Sequence, residues 1–479
     1  MQPIKRIFPL LLLTILFLSM VSCSKYLDVQ PEDKFLENQV YGSQTSIRNV
    51  INGIYLNLAK PAVYGRELTA TTLDVLAQYY NCAATSHPFY TTFGYKYTDA
   101  TAMSHTTAIW NNAYTAILNI NLFIHNVDST NNVLSAEEKN LLLGEAYGLR
   151  AFVAFDLLRL FGPVYATDST KTSIPYPVTP ESKIEALLPA NTVITNVLAD
   201  LSTAATLLEK DPVRTAGIKA PDAMADKFFS LRNRRMNYYA VKTLQARVLL
   251  YRRDNTGAAA TATAVINEAT PWFPWSPSSL SAPGIVNPDR IFSSEVIFGL
   301  ENADMYATQT SWFAASLNTS LLAPLPQRLT AIYEDYNNDY RYRINFDVDR
   351  TSVRTDKTFF KYADIQNKNL LYRKLQPLVR LTELYYIAIE GETDDSRAST
   401  LLNTVRYNRG LPPVTISGDK RNQLTKEYQK EFWGEGQLFF YYKRINLPVI
   451  SSGSSANATI AMTPAKYVVP LPLSETTFR

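Results

Sequence analysis

GEAYGLRAFVAFDLLRLFGPV, residues 144–164, is the stretch that decides the fold of this chain of 479 residues. An apolar stripe recurs at the spacing of one helix face: Ala146, Leu149, Val153 and Leu157. Small residues occupy an adjacent face: Gly144, Gly148 and Ala151. Gly162 and Pro163 end the helix, because proline cannot continue its hydrogen bonds. The pattern predicts a helix over 137–160 whose small face lets a second helix approach closely, as in stacked helical hairpins.

Amphipathic periodicity of the same kind predicts further helices. They cover 47–58, 110–127, 193–208, 237–253, 258–269, 378–390, 397–409 and 424–442. The pair at 237–253 and 258–269 forms a hairpin of about 34 residues, which is the length of a tetratricopeptide unit. Gly410 is expected to end the helix at 397–409, because glycine favours the position just after a helix. These patterns indicate a mainly α-helical, solenoid-like protein.

Long segments without helical periodicity separate these helices: 78–104, 166–191, 269–325 and 337–375. Loops of this length inside a compact protein are usually functional or disordered. These segments are rich in aromatic residues, which disordered segments usually lack. We therefore expect them to be ordered and packed on the helical scaffold.

The N-terminus has the pattern of an export signal: MQPIKRIFPLLLLTILFLSMVSC, residues 1–23. Two basic residues precede an apolar run at 7–18, which is shorter than the roughly 18 to 20 residues needed to span a bilayer. The sequence MVSC at 20–23 resembles a lipobox, in which the thiol of Cys23 is acylated and residues 1–22 are then removed. The alternatives are an ordinary secretory signal with a chance cysteine, or a single membrane anchor.

Charge and composition exclude several classes of function. The formal charge of +4 includes the two basic residues of the signal, and no clustered basic face indicates nucleic-acid binding. Cys82 is the only cysteine besides Cys23, so no disulfide framework is expected. The histidines fit no metal-binding motif: His87, His105 and His125. We therefore predict neither a metal nor a cofactor.

Six stretches in order resemble the SusD/RagB family of Bacteroidetes outer-membrane lipoproteins. They are CSKYLD at 23–28 with Pro31, WNNAY at 110–114 with NIN at 119–121, GEAYGLRA at 144–151 with LFGPV at 160–164, LVRLTELYY at 378–386 with LNTVR at 402–406, KEF, EG and FF between 430 and 440, and YVVPLP at 467–472. The terminal helix departs from the family, since YQKE at 428–431 stands where arginine-rich sequence is usual. The chain also stops soon after YVVPLP, so it differs from the best-known members.

The resemblance implies a tetratricopeptide-like helical scaffold with long irregular loops on one face. It implies a signal peptide at 1–22 and one SusD-like domain at 23–479, with an N-terminal region at 23–220 and a C-terminal region at 221–479. The mature protein would be a lipoprotein of the outer membrane, facing the cell surface and associated with a TonB-dependent transporter of the SusC type. Its implied role is to capture oligosaccharide for that transporter without catalysis. The alternatives are capture of peptide for a similar transporter and, less favoured, a surface glycoside hydrolase.

Aromatic residues in two loop regions are the candidate ligand contacts. A pyranose presents an apolar C–H face that a planar ring can cover, while amides around it bind hydroxyl groups. The first region, around 79–95, contributes Tyr80, Asn81, Phe89 and Tyr90. The second, 272–275 with 312–313, contributes Trp272, Trp275 and Trp312. Rings of this kind also pack loops onto helices, and the sequence does not separate the two roles.

Two further patterns carry weaker indications. An aromatic and acidic run forms either a ligand edge or a solvated helix end: Tyr333, Asp335, Tyr336, Asp339, Tyr340 and Tyr342. Glu431 and Glu435 lie one helical turn apart, and glycosidases use paired carboxylates. Carboxylates on one helix are more often ion-pair partners, so no catalytic residue is predicted.

Overall fold

The computed structural model describes residues 40–130 and 132–477. The predicted signal peptide at 1–22 and the predicted lipid-attachment residue Cys23 lie outside the described residues. The described helices are α1 (Gln44–Leu58), α2 (Thr72–Leu76), α3 (Tyr90–Phe93), α4 (Ala100–Thr130), α5 (Ala136–Phe161), α6 (Ala190–Leu207), α7 (Val213–Ala216), α8 (Tyr238–Tyr251), α9 (Asn255–Ala269), α10 (Met305–Trp312), α11 (Pro326–Tyr333), α12 (Tyr340–Asn345), α13 (Leu381–Gly391), α14 (Asp395–Tyr407), α15 (Lys420–Glu431), α16 (Gln437–Arg444), α17 (Pro464–Tyr467) and α18 (Leu473–Thr476).

Short strands form antiparallel pairs between the helices. The strands are β1 (Thr172–Ile174), β2 (Leu188–Pro189), β3 (Val296–Glu301), β4 (Phe346–Asp347), β5 (Thr358–Phe359), β6 (Leu375–Arg380), β7 (Val449–Ser451) and β8 (Thr459–Ala461). They pair as β1 with β2, β3 with β6, β4 with β5, and β7 with β8. These pairs and several short helices give order to the long segments between the predicted helices.

Packed helical hairpins form the scaffold, as predicted. The helices contact one another in the order α4, α5, α6, α8, α9, α13 and α14. The hairpin of α8 and α9 turns at Asp254, whose side chain accepts a hydrogen bond from the Gly257 N–H and so caps α9. The mainly α-helical, tetratricopeptide-like fold class is confirmed. Of the described helices, none is long and apolar enough to cross a membrane.

The small-residue face of α5 lies where other segments approach most closely. A Cβ atom built on Gly144 would lie 2.6 Å from the Cγ atom of Leu208, just after α6. A Cβ atom on Gly148 would lie 2.6 Å from the Cγ atom of Met236 and 3.0 Å from a methyl group of Val241 in α8. Both distances are too short for a real side chain, so glycine is required for this packing.

The long terminal helix predicted at 424–442 is wrong, because the structure has α15 and α16 with a break between them. Gly434 and Gly436 adopt φ angles of 82° and 69°, a conformation that favours glycine. Their N–H groups donate to the two carboxylate oxygens of Asp74, at 2.6 and 3.2 Å. The buried Asp74 therefore satisfies backbone groups that a continuous helix would have bonded internally.

Two predicted helix starts are also corrected. Helix α4 begins at Ala100, ten residues before the predicted start at 110. The prediction missed these turns because their inward face carries small and polar residues, which give only a weak apolar periodicity. Residues 378–380 belong to strand β6, which is buried throughout, and α13 begins at Leu381. A fully buried apolar run has the same appearance in a strand and in a helix.

Candidate ligand-binding surface

Two loops that are far apart in sequence lie side by side. We call residues 77–89 the first loop and residues 313–323 the second loop. The Asn81 N–H donates to the carbonyl of Ala323 at 2.9 Å, and the Leu322 N–H donates to the carbonyl of Trp312 at 2.8 Å. The rings of Tyr80 and Phe313 lie 5.8 Å apart beneath them. Trp312, the last residue of α10, therefore stands where the two loops meet.

The first loop is anchored at its start by Gln78. Its φ angle of 63° is unusual for a residue with a side chain. The buried amide group spans two other segments, since Nε2 donates to the Phe93 carbonyl at 2.9 Å and Oε1 accepts from the Gly453 N–H at 3.1 Å. These bonds hold the strained turn in place and so define where the loop begins.

Trp312 is the partly exposed ring of this surface. The ring of Phe89 meets it edge-on, with centroids 5.1 Å apart at 63°. The guanidinium carbon of Arg66 lies 5.7 Å from the indole centroid. Phe89 itself is buried and stacks on the imidazole of His105 at 4.5 Å. The indole is thus held by a buried aromatic ring and a cation while part of it stays open to solvent.

A buried carboxylate orients the cation beside Trp312. Nε and Nη2 of Arg66 both donate to Oε1 of Glu67, at 3.0 and 2.6 Å, and His105 Nδ1 lies 3.6 Å from the same oxygen. Burial by itself raises the pKa of Glu67, but His105 and the charge of Arg66 outweigh it and lower this pKa to about 2. Glu67 is therefore ionised at neutral pH and fixes the position of the guanidinium.

Tyr80 and Phe89, two of the predicted contacts, do not reach the surface. Both side chains are fully buried. The Tyr80 hydroxyl donates to the Ala70 carbonyl at 3.1 Å, and its ring lies edge-on to Trp433. Burial raises the pKa of Tyr80 well above its ordinary value. These rings are packing residues in this structure, because the first loop folds back onto the core instead of projecting from it.

Asn81, where the first loop meets the second, and Tyr90, just after the first loop, are partly exposed. The Asn81 side-chain oxygen accepts from the Ala83 N–H at 3.3 Å, which leaves the amide NH₂ group at the loop surface. The ammonium of Lys96 lies 4.8 Å from the ring centroid of Tyr90. The two residues therefore supply a polar and an aromatic group on the side of the first loop.

Trp272 and Trp275 lie away from this surface, so the second predicted region does not form one cluster. Trp272 covers Gly217, where an added Cβ atom would lie 2.5 Å from the indole. Trp275 packs against Tyr385 of α13 at 5.1 Å and beside Arg409. Among the described residues no ring contact joins either one to Trp312. Each of the three tryptophans therefore packs against a different part of the chain.

Glu431 and Glu435 belong to a buried ionic cluster. Glu431 accepts hydrogen bonds from three buried arginines: Arg341 at 2.8 Å, Arg380 at 2.5 Å and Arg409 at 2.8 Å. Burial alone raises the pKa of Glu431, but these arginines lower it well below its ordinary value. A glycosidase acid would need a raised pKa, which Glu431 lacks, and access for a substrate, which burial denies to both carboxylates.

Two residues of the aromatic and acidic run from 333 to 342 are buried and structural, while Asp335, Tyr336, Tyr340 and Tyr342 are partly or fully exposed. The Tyr333 ring is buried, and its hydroxyl donates to the Lys430 carbonyl at 3.2 Å. Asp339 is also buried and forms an ion pair with Arg341 at 2.7 Å. Across residues 40–130 and 132–477, no group of three or more His, Cys, Asp or Glu side chains could hold a metal ion.

Arg66, Glu67 and His105 complete the surface, and sequence reasoning missed all three. Arg66 lies 39 positions before His105 in the sequence, and no repeating pattern joins the three residues. Arg66 and Glu67 precede α2, and His105 lies in the first turns of α4, outside the predicted helix. Extending that helix back to Ala100 would have placed His105 on an ordered element facing the first loop.

Comparisons with known proteins agree with this architecture. Residues 25–228 match SusD-like proteins described as starch-binding and associating with the outer membrane. A SusD-like protein, P2, from Formosa agariphila is 28% identical over 195 residues, which cover 39% of this chain and 35% of that protein. The N-terminal part of the chain is similar to SusD-like proteins. The matched segment thus spans about a third of that relative's length.

Solved structures share the fold of this chain over nearly all of its length. A SusD superfamily protein from Bacteroides thetaiotaomicron superposes with a TM-score of 0.70 at 19% identity, covering 91% of this chain and 98% of that one. Surface glycan-binding protein A from Bacteroides fluxus superposes with a TM-score of 0.65 at 17% identity, covering 91% and 97%. At these identities the superpositions establish the fold.

Proposed function

We propose that this SusD-like protein binds oligosaccharide at the Trp312 surface and delivers it to a TonB-dependent outer-membrane transporter of the SusC type. The observation that carries the proposal is the partly exposed indole of Trp312, held by Phe89 and Arg66. A fixed indole can cover the C–H face of a pyranose with little loss of side-chain freedom. Arg66, Asn81 and the second loop surround it with groups that can bind sugar hydroxyls.

The family supports a role in binding without catalysis. The matched family is described as starch-binding, and one structural relative is a surface glycan-binding protein. Glu431 and Glu435 are the paired carboxylates that would favour a glycoside hydrolase, and their burial among arginines argues against that alternative. Capture of peptide remains the second candidate, because an indole flanked by a guanidinium also suits an extended peptide.

The proposed location is the outer membrane, facing the cell surface. The lipobox-like sequence at 20–23 supports attachment through lipid on Cys23 after removal of residues 1–22. A single domain over 23–479, with regions at 23–220 and 221–479, remains part of the same proposal.

The test compares two tryptophans that are each half-buried at a loop. An array of glycans and peptides identifies a ligand for the purified protein, and calorimetric titration then measures the affinity of Trp312→Ala and Trp272→Ala. We expect Trp312→Ala to lose about 1 to 3 kcal/mol of binding free energy, by analogy with aromatic stacking on bases. Trp272→Ala should bind as the wild type does. Unchanged binding by Trp312→Ala would place the site elsewhere, and binding of peptides alone would favour the second candidate.

A further inference from the structure

A second concave site lies on the helical scaffold. One wall is a single face of α4, formed by Asn111, Tyr114, Thr115 and Leu118, which recur at the spacing of a helix face. The other wall is the extended segment 175–185, and Ser474 with Glu475 closes one end. The cavity has a volume of about 520 Å³. Ligand sites typically measure about 300 to 1,000 Å³, so this groove can hold a short oligomer.

The floor of the groove is aromatic and rigid. The rings of Trp110 and Tyr114 lie 4.6 Å apart. The indole N–H of Trp110 donates to Oε1 of Glu475 at 3.3 Å, and the Tyr114 hydroxyl donates to the Pro175 carbonyl at 2.9 Å. Leu118 and Ile184 add apolar surface, and Ile184 is 71% exposed. A ligand would therefore find an apolar base whose rings are already fixed in place.

Polar groups surround that base. Asn111 and Thr115 are exposed on α4, and the Thr115 hydroxyl donates to the Asn111 carbonyl at 2.8 Å, which leaves its lone pairs to accept. The Thr179 hydroxyl is buried in the wall and has no hydrogen-bond partner in the described part of the chain. An unpaired buried hydroxyl costs free energy, which a ligand hydroxyl would recover.

The charged groups that line the groove are the ammonium of Lys183 and three carboxylates: Glu181, Glu185 and Glu475. The ammonium of Lys183 lies 3.2 Å from a carboxylate oxygen of Glu181 and 3.5 Å from one of Glu185. Glu475 accepts from the Trp110 indole. The carboxylates outnumber the ammonium, so the groove disfavours an anionic ligand. Its apolar base, with hydroxyl and amide groups around it, suits a neutral one.

The groove is separate from the Trp312 surface, although both use α4. His105, behind Phe89, and Tyr114, on the groove floor, are nine residues apart in this helix. At about 3.6 residues per turn, nine residues are about two and a half turns, which places the two side chains on opposite faces. A ligand in the groove therefore does not touch the ligand at Trp312.

We propose that this groove is a second, independent binding site for a short neutral oligosaccharide. Tyr114 and Leu118 cover the C–H faces of the sugar, and the buried Trp110 supports the Tyr114 ring. Asn111, Thr115 and Thr179 bind the sugar hydroxyls. This groove is distinct from the Trp312 site, and binding there does not depend on whether the protein delivers ligand to a transporter.

The experiment blocks the groove with a large side chain introduced at an exposed position of its wall. Binding of maltotriose, laminaritriose and xylotriose at millimolar concentration is measured by calorimetric titration and saturation-transfer NMR on the wild type, Trp312→Ala, and Trp312→Ala combined with Thr115→Arg. The control combines Trp312→Ala with Thr203→Arg. Thr203 is also exposed on a helix, and its hydroxyl bonds the carbonyl four residues before it, as that of Thr115 does.

We expect Trp312→Ala to retain binding of at least one trisaccharide. Adding Thr115→Arg should weaken that binding at least tenfold, while Thr203→Arg should leave it unchanged with the same melting temperature. The proposal is overturned if Trp312→Ala binds none of the trisaccharides, or if the two arginine variants bind equally. Normal binding by the wild type with complete loss in Trp312→Ala would overturn the groove while supporting the Trp312 site. If Trp312→Ala binds as strongly as the wild type and adding Thr115→Arg abolishes that binding, the groove is supported and the Trp312 site is overturned.

Discussion

Gly148 lies directly against Met236, so that a Cβ atom on Gly148 would come within 2.6 Å of the methionine Cγ atom. This contact joins the central helix of the scaffold, α5, to the segment that leads into α8. Met236 is fully buried, and its N–H donates to the Tyr55 hydroxyl at 2.9 Å, which fixes its backbone. The contact cannot relax easily, because the methionine is held by its own hydrogen bond.

Gly148→Leu should therefore destabilise the protein. Overpacking a tight contact typically costs about 1 to 3 kcal/mol of unfolding free energy. Thermal and denaturant unfolding measure the change. Gly53→Leu is the matched control, since Gly53 is also helical but a Cβ atom there would meet no described atom within 4 Å. Equal melting temperatures for the two variants would contradict the close packing of α5.

Tyr80→Ala should separate packing from ligand contact. Removing a fully buried aromatic ring typically costs about 3 to 5 kcal/mol of unfolding free energy. Trp312→Ala should cost much less stability, because its ring is partly exposed. Circular dichroism melts of both variants test this order. A more stable Tyr80→Ala than Trp312→Ala would show that the first loop is not packed as described.

Glu431→Gln should unfold the protein more easily and change its response to acid. Removing one partner of a buried ion cluster typically costs about 3 to 5 kcal/mol of unfolding free energy. Because the arginines lower the pKa of Glu431, its stabilisation is complete above the ordinary carboxyl pKa and is lost as pH falls below it. Glu427 and Glu67, with pKa values of about 2, act in the same direction.

Chemical unfolding between pH 7 and pH 3 measures that loss. The wild type should lose stability on acidification, and Glu431→Gln should start lower and fall less steeply. Glu268→Gln, at an exposed position, is the control and should follow the wild type. A wild type whose stability is independent of pH over this range would show that the cluster contributes little.

Cys23→Ala tests the predicted anchor. Each buried methylene of a lipid adds about 0.8 kcal/mol of membrane binding, so the several chains of a bacterial lipoprotein hold it firmly. We expect the variant to be released in soluble form or retained as an uncleaved precursor. Membrane fractionation and mass spectrometry of the N-terminus distinguish the forms. Mature variant protein that stays in the membrane as the wild type does would exclude the lipobox interpretation.

The sequence by itself determined the helical scaffold, because each helix carries its own apolar stripe and end signals. The helix at 137–160 was predicted within one residue at each end of α5. Gly410 has a φ angle of 73° but lies three residues beyond the end of α14 at Tyr407, not directly after the helix as predicted. These features depend on residues within a few positions of one another, and local periodicity records them. The same local pattern extended the terminal helix too far, because Asp74 holds the break from 360 residues away.

Only the tertiary structure decided which aromatic rings form a surface. Tyr80 and Trp312 are both aromatic residues near loops, but Trp433 covers Tyr80 while Trp312 stays partly open. The partners of Glu431 likewise come from positions 22 to 90 residues away. Exposure and ion pairing depend on what packs from distant parts of the chain. A periodic sequence pattern shows which face of a helix is buried, because the buried positions recur at a fixed spacing. It does not show which side chains of a loop are exposed, because distant segments make the contacts of a loop.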